Sequence, residues 1–183
     1  MKNVKVSERR AFLGTVSASM LALFMGRVPA KAANPQTRHR RVVTGVNAAG
    51  KSVVTSDGPV PPEGSWSEGG ADGADLWCLD HIPVDLSDCR DPIQGYGGRE
   101  WPPEGGAIAR TGTWPPGFQF HMHRSATIDF LFVMSGRIEL LLDEGSVTLG
   151  PGDCCVQRGT NHGWRVVGDQ PCTWGGVLLA AKM

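Results

Sequence analysis

The chain has 183 residues, 40% of them hydrophobic and 20% charged, with 18 Lys and Arg against 18 Asp and Glu. That length supplies one domain with a real core, and the balanced charge lacks the basic excess that a nucleic-acid partner requires.

The amino end reads as an export signal. The stretch "MKNVKVSERRAFLGTVSASMLALFMG" has a basic start and an apolar run from Ala11 to Gly26 that is short for a bilayer span. "RVPAKA" then offers Ala30 and Ala32 as a small-x-small cleavage site. Arg9 and Arg10, followed by Ala11, Phe12 and Leu13, resemble the twin-arginine signal that carries folded proteins across the bacterial inner membrane; a general secretory signal is the other reading. Residues 1–32 are thus expected to form a cleaved signal helix, leaving 33–183 as a single periplasmic or secreted domain. Without them 12 Lys and Arg face 17 Asp and Glu, a net charge near −5. This argues further against nucleic acid, and no second apolar run is long enough for a membrane.

Two β-branched runs, Val42 to Val46 and Ser52 to Thr55, flank "NAAG" and predict a hairpin. From Asp57 to Gly117, proline and glycine make up 21 of 61 residues, which predicts loops around a scaffold with one short strand near "ADLWCLD". Trp66, Trp77, Trp101 and Trp114 argue that this segment is ordered, because such side chains are costly to leave in water. After Gly117, short β-rich runs alternate with the turns "SG", "DEGS", "GPGD", "RGTNHG" and "VGDQP", the pattern of an antiparallel sandwich or barrel. Five cysteines in an oxidising compartment leave at least one unpaired. Cys78 and Cys89, flanking a turn-rich loop, are the favoured bridge. Cys154 and Cys155 would face opposite sides of a strand, with one in reach of Cys172.

The stretch "FQFHMHRSATIDF" at 118–130 carries the chemistry. In an extended strand alternate side chains share a face, so His121 and His123 point together while Phe120 and Met122 point away. The same parity brings Asp129, Leu131 and Val133 to the histidine side and leaves Phe130, Phe132 and Met134 to pack against the opposite layer. A strand after "RGTN" sets His162, Trp164 and Val166 on one face. Three imidazoles and a carboxylate would then converge inside a small barrel, where apolar neighbours exclude water and strengthen metal binding. Asp129 fits three roles: a fourth ligand, an acceptor behind an imidazole, or a partner of strand-end backbone. No Gly-x-Ser-x-Gly elbow and no phosphate loop occur, which lowers hydrolase and nucleotide readings.

On these residues the chain resembles the cupin superfamily. Gly117, His121, His123, Asp129 and Gly136 follow the first cupin motif in order, and Gly152, Asp153, Gly159 and His162 look like the second. The sequence departs from the pattern where five residues separate His123 from Asp129, and where Gln157 and Arg158 stand in place of a common proline. The resemblance implies an all-β, single-domain jelly-roll barrel (a double-stranded β-helix), with its core motifs in 117–180. It also implies a divalent transition metal on His121, His123 and His162, with Asp129 as the further candidate. Iron or manganese leads, ahead of zinc, copper or nickel. Trp164 and Gln157 are the expected contacts to a small organic substrate, and pairing of two copies through an edge sheet is the expected assembly. The implied function is a metal-dependent enzyme of dioxygenase, decarboxylase or isomerase type. The second reading is a small-molecule-binding cupin with a degenerate metal site.

Overall fold

The computed structural model describes residues 39–182, so the export signal expected at 1–32 lies outside the described residues. Within them the chain forms β1 (Arg40–Val46), β2 (Ser52–Pro59), β3 (Ser65–Glu68), β4 (Ala71–Leu79), β5 (Ala107–Trp114) and β6 (Gln119–His123). It continues through β7 (Thr127–Ser135), β8 (Ile138–Leu142), β9 (Ser146–Leu149), β10 (Cys154–Gln157), β11 (His162–Val166) and β12 (Cys172–Ala180). One 3-10 turn, Pro62–Gly64, precedes β3.

The strands pair antiparallel in three sheets. A six-stranded sheet has the order β10-β7-β12-β5-β4-β3, a four-stranded sheet the order β6-β11-β8-β9, and β1-β2 form a separate hairpin. That hairpin is the one expected from its β-branched runs. The Asn47 side-chain oxygen closes its turn by accepting from the backbone N–H groups of Ala49 and Lys51 at 2.9 and 3.0 Å. The core lies between the two larger sheets, where Leu131, Val133 and Trp174 of one sheet bury against Ile138, Leu140, Trp164 and Val166 of the other. This is the expected jelly-roll barrel.

The Gly/Pro-rich segment holds more strand than expected. Beyond the strand near Ala74–Asp80, which is nine residues long, it contains β3 and all of β5. Glycine inside these strands makes room for rings. Trp66 pairs across the sheet with Gly73, and a Cβ on Gly73 would lie 2.0 Å from Trp66 Cζ2 and 2.5 Å from the Thr111 carbonyl oxygen. Only 80–106 remains as a loop between β4 and β5, and it is anchored from within. Ile93 of this loop is fully buried with Val60, Ala74, Cys78 and Ile108. Beside it, Asp91 forms an ion pair with Arg41 of β1, which also donates to the Leu76 carbonyl at 3.0 Å.

Two expectations are corrected. All five cysteines are free thiols: Cys78 is buried in the Ile93 cluster, whereas Cys89 is exposed and directs its Sγ to the Ser87 carbonyl. Cys172 and Cys155 both border the main core without bonding, and burial pushes the Cys172 thiol up to about 11. Phe132 and Met134 were expected to pack on an opposite layer, yet they are 50% and 53% exposed. They lie on the outer face of the six-stranded sheet, which no third layer of described residues covers.

Gly73→Ala is expected to lower the unfolding free energy by about 1–3 kcal/mol through overpacking, since the backbone oxygen of Thr111 cannot rotate aside. Gly58→Ala, with nothing within 4 Å of its added carbon, is expected to leave the urea midpoint unchanged. Equal midpoints for the two variants would contradict the ring-on-glycine packing.

Candidate metal and substrate site

His123 on β6 and His162 on β11 are direct cross-strand partners, and their ring centroids lie 4.3 Å apart. The next pair along is Phe120 with Trp164. Between the two pairs β6 inserts His121 and Met122 while β11 has Gly163 alone, which makes a bulge. The bulge breaks strict alternation, so Phe120 does not turn away as expected. Its ring meets His123 edge-on at 5.0 Å and stacks on His121 at 4.7 Å, and the His121 and His123 rings stand 5.8 Å apart. Gly163 permits this approach: a Cβ there would lie 3.0 Å from both Met122 Sδ and the Phe120 carbonyl oxygen.

The hydrogen bonds of two rings fix which nitrogen carries the proton. His123 Nδ1 lies 3.0 Å from the His121 carbonyl oxygen, and His162 Nδ1 lies 3.0 Å from the Thr160 carbonyl oxygen. A carbonyl can only accept, so in each neutral ring Nδ1 donates and Nε2 is left with the free lone pair that a metal would use. Burial lowers the proton affinity of His162, opposed by its hydrogen bond to Thr160 and helped by the neighbouring His123, and favours that neutral form. Neutral imidazoles with a free Nε2 are the donor type that a divalent transition metal takes, and the His121, His123 and His162 rings stand side by side at the cavity. Among the described residues no group of three or more already has the arrangement to hold one.

Residues from both sheets border one cavity of about 760 Å³, within the range of small-molecule sites. His121, His123, His162 and Trp164 line it from the four-stranded sheet, and Asp129 and Gln157 from the six-stranded one. Asp129 thus reaches the site by a different route from the one parity suggested. The strand ends at His123, residues 124–126 cross between sheets, and Asp129 faces the cavity from β7. Burial raises its proton affinity, opposed by Thr127, Arg110 and His123. Gln157 is 3% exposed; its Oε1 accepts twice from Thr160 and one Nε2 hydrogen donates to the Thr160 carbonyl.

Several wall residues carried no usable signal in the sequence. Trp66, Trp101, Trp114 and Trp174 make the cavity aromatic together with Trp164 and Phe120, and the Trp101 ring stands 5.9 Å from His123. Trp101 arrives on the 80–106 loop. Arg110 of β5 holds that loop by donating to the carbonyls of Arg99 and Glu100 at 3.0 and 3.3 Å, while its Nε lies 3.0 Å from the buried Asp75 carboxylate. Burial pushes the Asp75 carboxyl up, and Arg110 opposes the shift. The other lining guanidinium, Arg99, pairs with Asp80 at 3.0 Å. Both lining arginines are therefore engaged with carboxylates.

Residues 111–180 match the Cupin domain family. The chain is 37% identical over 133 residues to phomopsin biosynthesis cluster protein D of Diaporthe leptostromiformis, covering 68% of this chain and 69% of that one. It is 34% identical over 128 residues to a cupin-domain-containing oxidoreductase of Neurospora crassa, covering 68% and 64%. Among solved structures, the cupin domain of Schizosaccharomyces pombe Cnp3 is similar with a TM-score of 0.48 and 11% identity, over 78% of this chain and 88% of that one.

Asp75→Asn leaves the Arg110 charge buried without its counter-ion. It is expected to reduce stability by about 3 kcal/mol and to speed limited proteolysis within residues 80–106. Cleavage at the wild-type rate would mean that Arg110 does not hold the loop.

Proposed function

The chain belongs to the cupin superfamily, and from that premise we propose that it is a metal-dependent oxidoreductase acting on a small, uncharged, ring-bearing organic molecule. The observation that carries this reading is the gathering of His121, His123 and His162, from two distant segments, at one aromatic cavity. Relatives named as cupin-domain-containing oxidoreductases support the reaction class.

His121, His123 and His162 would hold the metal, with iron or manganese the leading candidates. A metal so held supplies dioxygen activation or Lewis-acid polarisation of the substrate. The protein's own residues do the rest. The tryptophan walls and Phe120 bind a flat ring by stacking and exclude water from it. Because Arg99 and Arg110 are already paired with carboxylates, the walls offer no free guanidinium to an organic acid, which favours a neutral molecule. Asp129, opposite the imidazoles and with its proton affinity raised by burial, is the group we assign to taking up a proton from a substrate hydroxyl.

The second reading, a binder that does not transform its ligand, draws on one observation: Asp129 comes from the facing sheet and not from the histidine strand. Export of the mature domain through residues 1–32 remains part of the proposal. The cited relatives are fungal, so they lend no support to the bacterial twin-arginine form of that signal.

Purified protein is expected to carry close to one transition-metal ion per chain, and His123→Ala to lose it while still melting cooperatively. Aerobic turnover of substituted phenols should vanish in the same variant. A metal-free wild type with full activity would overturn the reading, and tight binding of phenols without turnover by the metal-loaded protein would favour the binder.

A further inference from the structure

We infer that Gln157 is a positioning residue for His162, acting through the carbonyl group of Thr160. Gln157 Oε1 accepts from the Thr160 backbone N–H at 3.1 Å and from Thr160 Oγ1 at 3.0 Å, and its Nε2 donates to the Thr160 carbonyl oxygen at 3.2 Å. The orientation of the amide is not open to choice. A backbone N–H can only donate and a carbonyl can only accept, so each end of the side chain has one possible partner.

The same Thr160 carbonyl oxygen accepts from His162 Nδ1 at 3.0 Å. One oxygen thus takes two donors, the buried amide on one side and the imidazole on the other. A backbone carbonyl in a four-residue turn would otherwise tilt with the turn and carry the His162 hydrogen bond with it. Gln157 and His162 are 3% and 2% exposed, so water has little access to replace either bond. The turn is also pressed against the other histidine segment. Gly159 has φ +63°, a Cβ on it would lie 2.9 Å from the Ser125 carbonyl oxygen, and its own carbonyl accepts from Arg124 Nε at 3.3 Å. Where the family pattern leads one to expect a proline to stiffen this turn, three hydrogen bonds from a glutamine do so. They also fix the ring tautomer that leaves Nε2 with the lone pair.

The metal-binding consequence rests on the proposed role of the histidines, whereas the tautomer does not, and the test separates them. Two-bond nitrogen–proton spectra of ¹⁵N-histidine protein without metal, at a pH where the rings are neutral, should show His162 with its proton on Nδ1. In Gln157→Met the proton is expected to divide between the two nitrogens. Gln157→Glu, which keeps the acceptor bonds but turns a charged oxygen toward the Thr160 carbonyl, is expected to shift it in the same direction. Thr160→Val, which retains both backbone groups, is expected to match the wild type. Nickel affinity measured by calorimetry should then fall about 10-fold or more in Gln157→Met. A wild-type tautomer in both Gln157 variants would overturn the inference. A shifted tautomer in a protein whose wild type binds no nickel would uphold the positioning role and overturn the metal reading instead.

Discussion

The pairing of β6 with β11 is the constraint on which the site depends. It sets His123 directly opposite His162, two residues far apart in the chain, and cross-strand neighbours have little freedom to separate. A slip of one residue would turn His162 to the other side of the sheet and lose the arrangement altogether. The bulge opposite Gly163 adds to this, because it draws Phe120 and His121 to the same side as His123. Hydrogen-bonded register thus does what a shared loop does in other sites: it brings together groups that the chain supplies separately.

Around that pairing the cavity is shaped by rings more than by charges. The two sheets close completely where Ile138, Val133 and Val166 meet, and they leave space where tryptophans line the wall. Some of the polar groups at the cavity bond to one another, while Asp129 Oδ1 and Trp174 Nε1 are buried without a hydrogen-bond partner. Arg110 bonds to Asp75 and to two loop carbonyls, and Gln157 bonds to Thr160. What remains for chemistry is a small set: the imidazoles and the Asp129 carboxyl, whose proton affinities burial shifts in opposite directions for His162 and Asp129.

Much of this was legible in the sequence, for identifiable reasons. Turn chemistry at Asn47–Gly50 and the β-branched runs on either side foretold the first hairpin. The resemblance carried by Gly117, His121, His123, Asp129, Gly136 and His162 pointed to the barrel and to the residues that border one cavity. Strict alternation failed at Phe120, since a bulge depends on the partner strand and Gly163 lies far from it in the chain. At Asp129 it gave the right cavity by the wrong route, because the parity of one strand cannot reveal a crossing into another sheet at 124–126. The glycines of 57–117 looked like loop residues, and the rings of Trp66 over Gly73 and Trp174 over Gly112 explain why such residues belong in strands. Gln157, expected as a substrate contact from the resemblance, does line the cavity. Its bonds to Thr160 depend on a turn geometry that no local pattern reports.

Arg41 joins three parts of the molecule at one guanidinium: the first hairpin, the Leu76 carbonyl of β4 and Asp91 in the loop that also carries Trp101. Anything fused ahead of residue 39, whether an affinity handle or a surface linker, hangs from that rivet. Mechanical load on such a tether runs first into the framework around the cavity entrance and only then into the sheets.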